Sequence, residues 1–373
     1  MEFFKNKIVL IITIGVIPLI IIGILIFGYI GNRNTEKATD TAKTEEKQAD
    51  TTRPATKVSD KAIVNATIDE SNSIKYYSLD KGQTFQIPAS GGDAKILDET
   101  SLAGITSVEW APTAPYVLTQ IKDRVYTFNY STRKSFAFPI DVISGQFLSD
   151  NRVFYTFKNN AVGGDAAVEL SVSNPDGTDW KKIITLTSSA VYLKGIPFQN
   201  SISQTLIPSS YRASALRIID INTGEAKSVL EEKNGLNVSW SPDGEKGIIS
   251  YTTERGGSTL GLSVINKAGI EVAKIENVGT IAEKIAWSPD SKTAYFTKAE
   301  VANTKILPDD YYSSNLGDFN ESLYKVDIAT ATASQLSTNI GNIDSKDLFL
   351  NAAGTELFFT NRKDNNLYKV SLK

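Results

Sequence analysis

The chain has 373 residues, a formal net charge of −3, and neither histidine nor cysteine. A balance so close to neutral gives no positive field to attract nucleic acid. Without those two residue types there are no disulfides, no thiolate or imidazole metal sites, and no Ser-His-Asp or Cys-His nucleophile system.

The first element is apolar. Residues 8–30 carry no charge and are dominated by Ile. A run of about 23 residues rising about 1.5 Å each is long enough to cross a hydrocarbon core of roughly 30 Å. A cleaved signal peptide has a shorter apolar region, about 7–15 residues, ending at a small-residue cleavage site. The flank IFGYIGNR offers no such site. The segment therefore predicts an uncleaved single-pass anchor in the cytoplasmic membrane. Lys5 and Lys7 precede it, which places residues 1–7 in the cytoplasm and the rest on the extracytoplasmic, periplasmic side. Residues 31–60 balance six basic against six acidic residues and hold almost nothing large and apolar. That composition cannot offset the entropy of ordering, so a flexible linker is predicted.

From residue 61 to 373 a unit recurs. Its clearest copies are NVSWSPDGEKGIISYTT, at 237–253, and KIAWSPDSKTAYFTK, at 284–298. Each reads as a strand closing on Trp240 or Trp287, a tight turn, and a second strand. In the turn Ser241-Pro242-Asp243-Gly244, proline pre-sets φ, Asp bonds nearby backbone, and Gly accepts positive φ. Large apolar residues matching Trp240 stand at Ile68, Trp110, Phe147, Phe198, Trp287 and Leu350. After each comes a turn, a strand and another hairpin, so the unit is four short strands, a to d, repeated seven times. Repeats of roughly 40–60 residues with strands this short must stack around an axis to bury their faces. The predicted fold is all-β, a seven-bladed β-propeller of four-stranded antiparallel blades. Blade 7 lacks its outer strand, and ATKVS at 55–59 is the candidate to supply it.

The SPDG-type turns and the DG-type hairpins, strongest at Trp240–Gly244, Trp287–Ser291 and Asn174–Trp180, resemble the TolB-like, WD-type propeller repeats of bacterial envelope proteins. The resemblance covers about residues 60–373. It implies that the a–b and c–d turns share one face of the ring, and the d–a and b–c connections the other.

The longest b–c connection is that of blade 6, taken as 299–322. It concentrates Asp309, Asp310, Tyr311, Tyr312, Asp318 and Phe319. Connections longer than about 12–15 residues are often functional. Tyr311 and Tyr312 are the predicted partner-binding anchors, with Asp309, Asp310, Arg212 and Arg255 as polar neighbours. Tyr211, Glu254 and 362–364 fall on the same face. The partner class is an envelope protein or a wall glycan.

Chemistry-bearing motifs are near misses. No G-x-S-x-G elbow and no Walker A loop occur. SNPDGTDW at 173–180 has the wrong spacing for a sialidase Asp-box and reads as the c–d turn of blade 3. Asp309-Asp310 lacks a D-x-D-x-D-G calcium loop. No cofactor, metal or catalytic residue is nominated, and a non-enzymatic scaffold is the leading reading. The alternative is a carbohydrate-active hydrolase with paired carboxylates in the central pocket.

Overall fold

The computed structural model describes residues 52–159, 167–300, 308–313 and 320–373. The predicted anchor and most of the predicted linker lie outside them. No helix among the described residues is long and apolar enough to cross a membrane.

The strands form seven four-stranded antiparallel sheets. Six take four consecutive strands, from β2–β5 (Ile63–Asp98) to β22–β25 (Ile285–Ser337). Burial explains the sequence pattern within them. A middle strand such as β19 (Lys246–Thr252) is covered on both faces by neighbouring blades, and its run GIISYT is buried throughout. An outer strand such as β21 (Glu271–Ile275) is mostly exposed. The core therefore lies between blades. Ile248 and Leu262 of blade 5 pack in one cluster with Trp287 and Phe296 of blade 6.

The SPDG turns act locally and between blades. Ser241 Oγ bonds Asp243 Oδ1 at 2.5 Å and accepts from Lys246 N at 3.0 Å. Gly244 has φ +69°, and a Cβ there would lie 1.9 Å from Pro197 O in the preceding blade. Trp240 Nε1 donates to Ser203 Oγ at 2.9 Å, and Trp287 Nε1 to Ser239 Oγ at 3.2 Å. Each indole thus clasps the blade before its own.

Two sequence assignments are corrected. In blade 4 the strand β14 spans Val191–Gly195 and the turn closes by Ile196 N donating to Ser201 O. The equivalent of Trp240 is therefore Gly195, where a Cβ would already stand 3.2 Å from Leu148 Cδ2. Phe198 sits in the turn, with φ +54° and 78 % exposed. In blade 6, β23 (Thr293–Glu300) and β24 (Asn320–Asp327) are paired out to Glu300 and Asn320, so the b–c connection is 301–319 rather than 299–322.

The seventh blade has the order β1 (Thr56–Lys57), β28 (Leu367–Ser371), β27 (Glu356–Asn361), β26 (Ser345–Leu350). Its outer strand β1 is Thr56–Lys57, paired with Lys369 and Tyr368 of β28 (Leu367–Ser371). The ring closes with the segment just before blade 1.

Candidate functional site

Antiparallel blades put the b–c connections and the start of every inner strand at the same end of the ring. The connection of blade 6 contributes one helical turn there, α1 (Asp309–Tyr312). Asp309 takes hydrogen bonds from Ser209 Oγ at 2.6 Å and Ser210 N at 2.8 Å, both in the b–c connection of blade 4. Tyr312 Oη accepts from Asn237 Nδ2 of blade 5 at 2.8 Å, and its ring meets Tyr192 of blade 4 edge-on at 5.9 Å. The Tyr311 ring lies 4.4 Å from the Arg362 guanidinium of blade 7 and 5.5 Å from Lys284 Nζ. Two cations near one aromatic ring hold it electrostatically as well as by contact. The turn therefore docks on blades 4, 5 and 7 and on the entry to blade 6.

Beneath Tyr311 is a buried ionic cluster. Lys284 Nζ reaches Glu321 Oε1 at 2.5 Å, Asp344 Oδ1 at 2.9 Å and Ser345 O at 2.7 Å. An ammonium has three donors, so this one is fully used. Arg362 Nη1 binds Asp344 Oδ2 at 3.1 Å, and Ser345 N donates to Glu321 Oε2 at 3.2 Å. Two cations and two anions balance, as burial of charge requires.

Further carboxylates lie on the inner strands. Glu109, on β6 (Ile105–Trp110), accepts from Phe147 N at 2.7 Å. Burial pushes its carboxyl up to about 7, opposed by that hydrogen bond and by Lys194. Asp347, on β26 (Ser345–Leu350), has a side chain 39 % exposed and an ion pair with Lys346 at 3.8 Å, and Lys194 and Arg362 also act to lower its carboxyl. Lys194 thus acts on both carboxyls. Burial, then the charge of Glu283, pushes Tyr192, Tyr311 and Tyr312 well above the ordinary phenol value. Among the described residues no group of three or more acidic side chains is arranged to hold a metal ion.

The six nominated residues all fall on this face. Asp309, Tyr311 and Tyr312 are brought together in α1, engaged with the ring; Asp310 shares the turn and is partly buried. Arg212 is exposed and donates to Ile207 O at 2.7 Å. Arg255, also exposed, donates to Tyr211 O at 3.3 Å. Ser209 pairs with Arg212 and holds Asp309, so both arginines and Asp309 meet at the corner of blades 4 and 5. Tyr211, 56 % exposed, stands at that corner, and a Cβ on Gly256 would lie 2.7 Å from its ring. Sequence reasoning missed Lys284, Glu321, Asp344, Glu109, Asp347 and Tyr192. Each looks like an ordinary strand-end residue until the ring closes.

No protein-family model matches the chain, and no curated protein does. Solved structures do. An oligogalacturonate lyase from Vibrio parahaemolyticus superposes with TM-score 0.62 at 9% identity, covering 86% of this chain and 91% of that one. The propeller domain of Myceliophteria thermophila Cps50 (Swd1) gives 0.54 at 10%, covering 86% and 100%. A streptogramin B lyase gives 0.53 at 12%, covering 86% and 97%. At such identities the likeness shows the fold alone. The chain is a seven-bladed β-propeller.

Proposed function

We propose that this chain is a membrane-anchored, extracytoplasmic scaffold that binds an envelope protein or a wall glycan without transforming it. The observation that carries the reading is the corner of blades 4 and 5. There Tyr211 is exposed beside Arg212 and Arg255, on a frame fixed by Asp309 and Gly256. Tyrosine and arginine are the side chains most enriched at binding hot spots, and a preformed arrangement lowers the cost of ordering them. The double substitution Tyr211→Ala with Arg255→Ala lowers partner capture, by crosslinking in intact cells, at least about tenfold. The thermal midpoint stays where it was, because both side chains are exposed. Undiminished capture by the double variant moves the site off this corner.

Residues 8–30 are the proposed anchor, with the propeller outside. Protease added to intact spheroplasts then digests the ring, whereas protection reverses the orientation. The second reading, a carbohydrate-active hydrolase, is favoured by Glu109, an inner-strand carboxyl that burial pushes up to about 7, with Asp347 on the inner strand of blade 7 as the candidate second carboxyl. Two of the structural neighbours are named as oligogalacturonate lyases. Turnover of an oligosaccharide that Glu109→Gln abolishes establishes that reading instead.

A further inference from the structure

The groove between blades 2 and 3 holds a cavity of about 370 Å³. Its walls include Phe136 and Phe138 of blade 2 with Tyr155, Phe157, Glu169 and Trp180 of blade 3. The aromatic frame is interlocked. Phe136 meets Phe138 edge-on at 5.1 Å, and Phe138 meets Tyr155 at 5.0 Å. Gly177, with φ +79°, lets the turn before Trp180 close over this frame, since a Cβ there would lie 2.1 Å from Phe136 Cζ. Trp180 itself is 58 % exposed, whereas Trp240 and Trp287 are buried. A large apolar side chain left open beside a walled cavity calls for an explanation.

The cavity's polar side decides what fits it. Glu169 is 6 % exposed, and its Oε1 accepts from Lys182 Nζ at 2.6 Å and Asn159 Nδ2 at 3.1 Å. The carboxylate is therefore neutralised within the chain. An alkylammonium ligand seeks an aromatic cage with unpaired negative charge, which is not offered here. A purely aliphatic side chain would cover the ion pair and the amide without matching them. A pyranose ring has an apolar C–H face and an edge of hydroxyls that both donate and accept. We propose that this cavity binds a neutral pyranose, its C–H face on Trp180 and its hydroxyl edge toward Glu169, Lys182 and Asn159. The site lies between different blades from the Tyr211 corner, so it stands or falls separately from the partner surface proposed above.

The test uses the full chain in a polyoxyethylene detergent, which carries neither sugar nor choline. Chitotriose and cellotriose are titrated by calorimetry, tryptophan emission is followed in parallel, and choline serves as the cationic control. The expected result is saturable binding of at least one trisaccharide, with a shift in emission from Trp180. Trp180→Ala weakens that binding at least about tenfold and leaves the thermal midpoint unchanged. Glu169→Gln weakens it by a similar factor, and its emission shift, read at saturating saccharide, persists. Three results overturn the proposal: no saturable binding of either saccharide, binding indifferent to Trp180→Ala, or binding of choline in their place.

Discussion

Glu109 and Lys284 show how differently a charge behaves according to what it is given. Glu109 receives one backbone N–H and a lysine at a distance, and burial still dominates, raising its carboxyl to about 7. A carboxyl raised in the folded state binds its proton more tightly there than when unfolded. Its destabilising effect is absent below the ordinary value near 4.5 and grows as pH rises to about 7. The magnitude is about 2–3 kcal/mol. Glu109→Gln keeps the acceptor for Phe147 N and removes the charge. Its stability relative to the parent should therefore increase between pH 5 and pH 8, read from urea denaturation at both. A constant difference across that range means Glu109 is well solvated. Lys284 is the opposite case, a buried cation with every donor matched. Lys284→Met leaves Glu321 and Asp344 with Arg362 alone and should cost about 3–5 kcal/mol in the same measurement at pH 7. A loss below about 1 kcal/mol would mean that water replaces the ammonium.

At the scale of the element, α1 is too short to be stable by itself and is held by what it touches. Burial alone would raise the Asp309 carboxyl, but hydrogen bonds from Ser209 and Ser210 outweigh it and lower it. Its stabilising effect is thus complete above the ordinary value of 3.8 and is lost as pH falls below it. Asp309→Ala should speed amide hydrogen exchange at Ser210, Tyr311 and Tyr312 by about tenfold or more, with the global urea midpoint nearly unchanged. Unaltered exchange would show that the tyrosines alone hold the turn. The strands and turns around α1 were legible because their causes are local: alternation, Pro-Asp-Gly chemistry, and large apolar closers. Phe198 was misread because its register depends on Leu148 of another blade, which leaves little room for a Cβ at position 195. The acidic-aromatic composition around Tyr311 drew attention to α1, but nothing in it told that the rings turn inward. Lys284, Glu321 and Asp344 were illegible for the same reason. They are 37 and 60 residues apart, and only the ring makes them neighbours.

The whole molecule depends on joining its two ends. Residues 53–59 stitch the start of the ring to blades 6 and 7. Arg53 N donates to Ser337 Oγ at 3.0 Å and Ala55 N to Ile340 O at 2.9 Å. Val58 N donates to Leu367 O at 2.7 Å, and Leu367 N to Ser59 Oγ at 2.9 Å across 308 residues of chain. Each such bond is worth about 1 kcal/mol net, so the seam contributes several. It also covers β28, whose unpaired edge would otherwise template association with another chain. Excising residues 52–59 while leaving the rest of the chain intact should therefore do two things. The thermal midpoint falls, and the protein self-associates on sedimentation as the edge of β28 seeks a partner. A synthetic peptide of residues 52–60, added in excess, should refill the seam and raise the midpoint with a dependence on its concentration. That recovery separates loss of a strand from general damage to the fold. An excised protein that stays monomeric with an unchanged midpoint would show that three-stranded blade 7 holds the ring without the seam.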